Sequence, residues 1–157
     1  MSRPGPAQIR LRSVRRGVTL GLAAVLLGGC VTPATGSDSY RDKAVTSVRA
    51  ATSEVATAAL TVRLLLRDRV LEPYADETIT AAEVALGSIA TTFESVQPPT
   101  GDDGVRHRVS TLLGDAGDAV ADARIAARRS DTAGLRAAQR NLRQVSARLS
   151  AADKALS

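Results

Sequence analysis

Few side chains in this 157-residue sequence are suited to catalysis or metal binding. His107 is the only histidine, so the paired Glu-x-x-His motifs that hold two metal ions inside a helical bundle cannot be assembled. It sits between Arg106 and Arg108 at an expected helix start, and it reads as a solvated surface residue. Asp115, Asp118 and Asp122 recur at spacings of three and four, which gathers carboxylates on one flank of a helix. Hard cations seek such clusters, but DAGDAVAD lacks the glycine turn and loop carbonyls of a calcium loop. It reads instead as a charged flank facing nearby arginines. Serines are plentiful, yet no Gly-x-Ser-x-Gly elbow occurs and the lone histidine has no sequence context as a base. A glycine-rich phosphate loop is also missing. The expectation is a non-enzymatic chain with no catalytic residue, no metal ligand and no cofactor.

The arginines carry a different kind of chemistry. Arg136, Arg140 and Arg143 step by four and three, opposite a Leu135/Leu142/Leu149 stripe. Together with Arg128 and Arg129 they form a candidate basic patch for an acidic envelope protein, an anionic polymer or anionic lipid headgroups. The formal net charge of +5 also invites a nucleic-acid reading. That charge is not spread over the chain. Arg3, Arg10, Arg12, Arg15 and Arg16 fall in residues 1–29, and the rest holds 16 basic against 16 acidic residues. A neutral remainder whose only aromatics are Tyr40, Tyr74 and Phe93 lacks both the electrostatic footprint and the stacking platforms that nucleic acid requires.

Cys30 is the only cysteine, so no intramolecular disulfide is available to it. The residues before it fall into three zones. A basic start ends at RSVRRG, an apolar run covers Val18 to Leu27, and Gly28 and Gly29 precede the cysteine. Ten apolar residues in a helix rise only ~15 Å, half the ~30 Å of a bilayer core, so the run is too short to span a membrane. The order is that of a secretory signal. Leu27-Gly28-Gly29-Cys30 resembles the lipobox of bacterial lipoproteins, a resemblance confined to the leader. It implies diacylglyceryl transfer to the Cys30 sulfur, cleavage just before Cys30, and a mature protein anchored by lipid on the extracytoplasmic face of the cell membrane. Acylation of the new amino terminus would add a further chain, which matters because one acyl chain alone binds membranes only marginally. Arg15 to Leu20 (RRGVTL) also resembles a twin-arginine export signal, with Val18 standing where that signal carries Phe or Leu. An ordinary basic leader fits the same residues.

These residues need a scaffold, and the pattern beyond Cys30 supplies one. Residues 30–39 are small and polar with one proline and no hydrophobic period, as in a flexible tether. From Tyr40 onward apolar residues recur in steps of three and four. The series are Val45, Val48, Thr52, Val55, Ala59, Val62, Leu66; then Leu71, Ala75, Thr78, Ala82, Ala85, Ile89, Phe93, Val96; then Val105, Val109, Leu112, Ala116, Ala119, Ala123, Ala126; and last Leu135, Ala138, Leu142, Val145, Leu149, Ala152, Leu156. No stretch alternates with period two. Pro73, QPPTGDDG at Gln97–Gly104 and RRSDTAG at Arg128–Gly134 mark the breaks, with Ser130 the expected cap of the last helix.

The expected architecture is all-α: an antiparallel up-down-up-down four-helix bundle over residues 40–157, with helices at 40–69, 73–97, 102–128 and 131–155. It follows a leader at 1–29 and the tether at 30–39. The first part of this domain is acidic, with 11 acids and 6 bases from Cys30 to Val105. The second part is basic, with 10 bases and 5 acids from Arg106 onward, so the two pairs of helices should attract. A core rich in alanine implies close helix approach and modest burial. The functional expectation is a membrane-anchored interaction or structural module. The alternative is a small apolar or lipid ligand held between the helices, with Phe93 and Tyr74 lining its pocket.

Overall fold

Local chemistry at the chain breaks decides where each helix stops. The computed structural model describes residues 36–157, within which four helices and no strand occur. They are α1 (Ser37–Leu65), α2 (Glu72–Glu94), α3 (Asp103–Arg128) and α4 (Thr132–Leu156). Leu27 to Cys30 and the first residues of the expected tether lie outside the described residues. The tether is shorter than the sequence suggests, because Ser37 to Ser39 already belong to α1.

The first helix ends short of Arg69. Asp68 takes a left-handed φ of 53°, the Arg69 N–H donates to the Leu64 carbonyl and the Asp68 N–H to the Leu65 carbonyl. This is a Schellman ending, built on an aspartate where glycine is usual. The same device closes α3. Ser130 has φ 50°, the Asp131 N–H reaches the Ala126 carbonyl and the Ser130 N–H reaches Ala127. Ser130 is therefore the terminator of α3 and not the cap of α4. That cap is Asp131, whose Oδ1 accepts from the N–H groups of Ala133 and Gly134 at 3.0 and 2.9 Å. A Cβ at Gly134 would lie 2.6 Å from an Asp131 carboxylate oxygen, so a larger residue there would displace the capping side chain.

Between α2 and α3 the chain makes a hydrogen-bonded turn from Pro99 to Asp102, with Gly101 at φ 97° supplying the conformation that a type II turn demands. The freed carbonyls at the end of α2 are met from α3: Arg106 donates to Glu94 and Val96 at 3.1 and 3.3 Å.

Side-chain pairs fix the directions. Tyr40 at the start of α1 stacks near Phe93 at the end of α2, ring centroids 5.7 Å apart. Arg49 early in α1 meets Asp153 at the end of α4 at 2.8 Å. Asp76 in the first turns of α2 meets Arg128 at the end of α3 at 2.6 Å, and Asp115 of α3 meets Arg148 of α4 at 2.7 Å. Each helix thus runs opposite to its neighbours, in a four-helix bundle. Contacts join α1 with α2, α2 with α3, α3 with α4 and α4 with α1. Across the diagonals, α1 touches α3 while α2 and α4 have no contact among the described residues. The cross-section is a rhombus. Ala44, Ala51 and Ala58 of α1 and Ala116 and Ala123 of α3 are all fully buried, and side chains this small let backbones approach.

Among the described residues the fully buried core comes from the four helices, with Leu66 and Val96 beyond the ends of α1 and α2 packed against it. In α3 every expected position is buried, and Leu113, Val120 and Ala127 join them because this helix faces three neighbours. In α4 the expected stripe is buried from Leu135 to Leu149, with Ala152 and Leu156 partly so. In α1 the true stripe is Tyr40, Ala44, Val48, Ala51, Val55, Ala58 and Val62, rotated from the expected one, which placed Val45, Thr52 and Ala59 inward. In α2 the buried positions are Ala75, Ile79, Ala82, Leu86 and Phe93, whereas Leu71 is 78 % exposed. In α2, Leu71 stands at the N-cap, before the first packed turn. In α1, alanines and valines share the buried stripe, with Ala44, Ala51 and Ala58 as fully buried as Val48, Val55 and Val62.

Candidate functional site

The five candidate arginines do not form one patch. Arg128 turns toward α2 and pairs with Asp76. Arg129 lines a groove between α3 and α4 together with Asp122, Ile125 and Asp131. Arg136, Arg140 and Arg143 stand exposed on α4, with no ion pair or hydrogen bond among the described residues.

The helical geometry adds a residue that the sequence pattern does not single out. Arg63 lies fourteen residues beyond Arg49, close to four turns of α1, so it shares the direction in which Arg49 reaches α4. With Arg49 level with Asp153 and the helices antiparallel, Arg63 comes level with about Gln139. That height is between Arg136 and Arg143. It too is exposed and has no partner among the described residues.

The acidic flank of α3 is occupied by arginine. Asp115 is paired with Arg148, and Asp118 and Asp122 border the same α3/α4 groove beside Asn141 and Gln144. No group of three metal-ligating side chains converges among the described residues. His107 is exposed on the first turns of α3. Many hydroxyls are spent locally: those of Thr52, Thr57, Thr78, Ser88 and Ser150 donate to the carbonyl four residues earlier.

Across the α2/α3 seam, carboxylates of the acidic part meet arginines of the basic part: Glu83 meets Arg124 and Asp76 meets Arg128. Arg124 donates from two nitrogens to the Glu83 carboxylate, and this hydrogen bond raises its pKa above the ordinary arginine value. On α1 the polarity is reversed in Arg49–Asp153, and Arg41 meets Asp102 within the acidic part itself. The overall charge split therefore does not set the pairing of the helices.

Polar groups are buried at the end of the bundle where α1 begins. Asp102, 2 % exposed, precedes α3, where the helix N-terminus favours a negative charge. Its Oδ1 lies 3.4 Å from Arg41, and its Oδ2 has no hydrogen-bond partner among the described residues. The Tyr40 hydroxyl is likewise buried and unpartnered. Burial raises the Tyr40 pKa above its ordinary 10.0; Arg106 opposes this, and Asp102 and Asp103 add to it. This end of the bundle tolerates two unmatched oxygens.

Phe93 and Tyr74 do not share a pocket. Phe93 is buried against Tyr40 at the end of α2, while Tyr74 in its first turn is 66 % exposed. About 28 Å of helix separates them. No described helix is long and apolar enough to cross a membrane.

Comparison with protein-family models, curated proteins and solved structures found no match. Function must therefore be argued from the residues themselves.

Proposed function

We propose that this chain is a bacterial envelope lipoprotein, anchored through lipid at Cys30 on the extracytoplasmic face of the cell membrane. Its helical bundle serves there as a non-catalytic interaction or structural module. The observation that carries this reading is the order of parts in the sequence: basic start, short apolar run, Leu27-Gly28-Gly29-Cys30, a few small polar residues, then a helix from Ser37. Val31 to Gly36 can extend at most ~20 Å, which would hold the bundle close to the bilayer surface while leaving it free to reorient. Diacylglycerol on the sulfur plus an acyl chain on the new amino terminus supplies the two or more chains that stable anchoring needs. The exposed arginines of α1 and α4 are the surface the module would offer to a partner. Replacing Cys30 with serine should move the protein from the membrane fraction to the soluble fraction, or leave the uncleaved precursor. Unchanged fractionation together with an unchanged mass would refute the anchor.

A further inference from the structure

The α1/α4 face holds an unusual charge distribution. From Val55 to Arg67 in and just past α1, and from Thr132 to Ala152 in α4, the sequence contains no acidic residue. Arg63, Arg136, Arg140 and Arg143 lie in those stretches, and none has an ion-pair partner among the described residues. Arg136 and Arg140 are four residues apart on one helix, a spacing at which like charges repel. The cluster therefore opposes folding slightly and does nothing to hold the bundle together. Such an arrangement is explained by an external anion.

The shape of the face narrows the anion. The four arginines are spread along ~10 Å of two convex helices, a geometry that offers a compact ion only one or two of them at a time. A flat anionic bilayer fits less well. Asp38 and Asp42 stand eleven and seven residues before Arg49, so all three point the same way from α1. A membrane covering this face would press against those carboxylates, whereas a flexible chain can cross the acid-free half alone. Guanidinium forks pair bidentately with phosphate and carboxylate oxygens, so repeating anions along a chain match repeating arginines along the helices.

From this arrangement we infer that the α1/α4 face binds a linear polyanion, with Arg63 of α1 and Arg136, Arg140 and Arg143 of α4 as its contacts. This rests on the reading of the bundle as an interaction module and does not depend on the anchor. Long-chain inorganic polyphosphate is the probe, titrated calorimetrically into residues 31–157, which keep all four helices and the entire core and lack Cys30. Binding is expected, weakening with salt at a slope of about −3 in log K against log salt for four phosphate contacts on a flexible strand. Orthophosphate should not compete at equal phosphate concentration. Substituting Arg63→Gln, Arg136→Gln, Arg140→Gln and Arg143→Gln together should lower affinity about tenfold or more, with helix content and melting temperature kept or raised. Arg63→Gln alone should lower it about threefold, which tests the contribution of α1. A control losing four cations elsewhere (Lys43→Gln, Arg69→Gln, Arg108→Gln, Arg129→Gln) should bind nearly as well as the parent. No binding to polyphosphate, or equal losses in the two quadruple variants, would overturn the proposal. So would arginine-dependent binding to phosphatidylglycerol vesicles without polyphosphate binding, in which case exposed Leu60 on this face would be the inserting side chain. None of these outcomes bears on Cys30, whose membrane fractionation is tested separately.

Discussion

Tyr40 illustrates how much one side chain can decide in a small alanine-rich core. Its ring is fully buried and packs against Phe93, but its hydroxyl finds no partner in the fold. A buried hydroxyl left without a hydrogen bond costs about 1–3 kcal/mol, so Tyr40→Phe should stabilise the bundle by about 1 kcal/mol while keeping the ring contact. The same residue predicts a pH effect. Burial raises its pKa in the native state above 10.0, so the folded protein holds this proton more tightly than the unfolded chain. Its contribution is fully present below about pH 10 and is lost as pH rises through the higher native value. Stability should therefore fall in alkaline solution more steeply for the parent than for Tyr40→Phe in pH-dependent denaturant titrations. Equal alkaline slopes would remove Tyr40 as the cause.

At the scale of elements, the helices carry glycines that serve no packing purpose. A Cβ added at Gly87 or Gly114 would meet nothing within 4 Å, so neither marks a close helix approach. Gly87→Ala and Gly114→Ala should each raise stability by up to ~1 kcal/mol, read as a shift of the thermal midpoint. The existence of four helices was legible in the sequence, and so were the buried stripes of α3 and α4. In those two helices Val109, Leu142 and Leu149 alternate with clearly polar positions, leaving one choice of inward face. In α1, valine and alanine compete for that face, and a side-chain pattern cannot reveal that Ala51 and Ala58 are fully buried while Val45 is only partly so. The ends of α1 and α3 were hidden for another reason. Both are closed by non-glycine residues, Asp68 and Ser130, in a conformation that sequence normally signals with glycine. The basic surface was half legible. Spacing alone links Arg136, Arg140 and Arg143, but Arg63 joins them only through the register that Arg49 and Asp153 establish.

For the whole molecule, the rhombic section explains why so small a core suffices for order. Contact between α1 and α3 across the short diagonal replaces the large central side chains of a square bundle. Ala123→Leu would force those helices apart and should cost about 1–3 kcal/mol, measurable by chemical denaturation. A change below ~0.5 kcal/mol would mean that the diagonal is loosely packed. The surface charges are divided as well. Glu83–Arg124 and Asp76–Arg128 pair across the α2/α3 seam, whereas Arg63, Arg136, Arg140 and Arg143 on the α1/α4 face have no ion-pair partner among the described residues, and in our proposal they meet an external anion. In the function proposed above, the bundle is held in the envelope through Cys30. Intact-mass analysis of protein extracted from the native membrane tests this most directly. The expected species is a chain beginning at Cys30, without residues 1–29, heavier than its sequence by a diacylglyceryl group and by any acyl chain on its amino terminus. A chain of unmodified mass, or one that begins elsewhere, would contradict it.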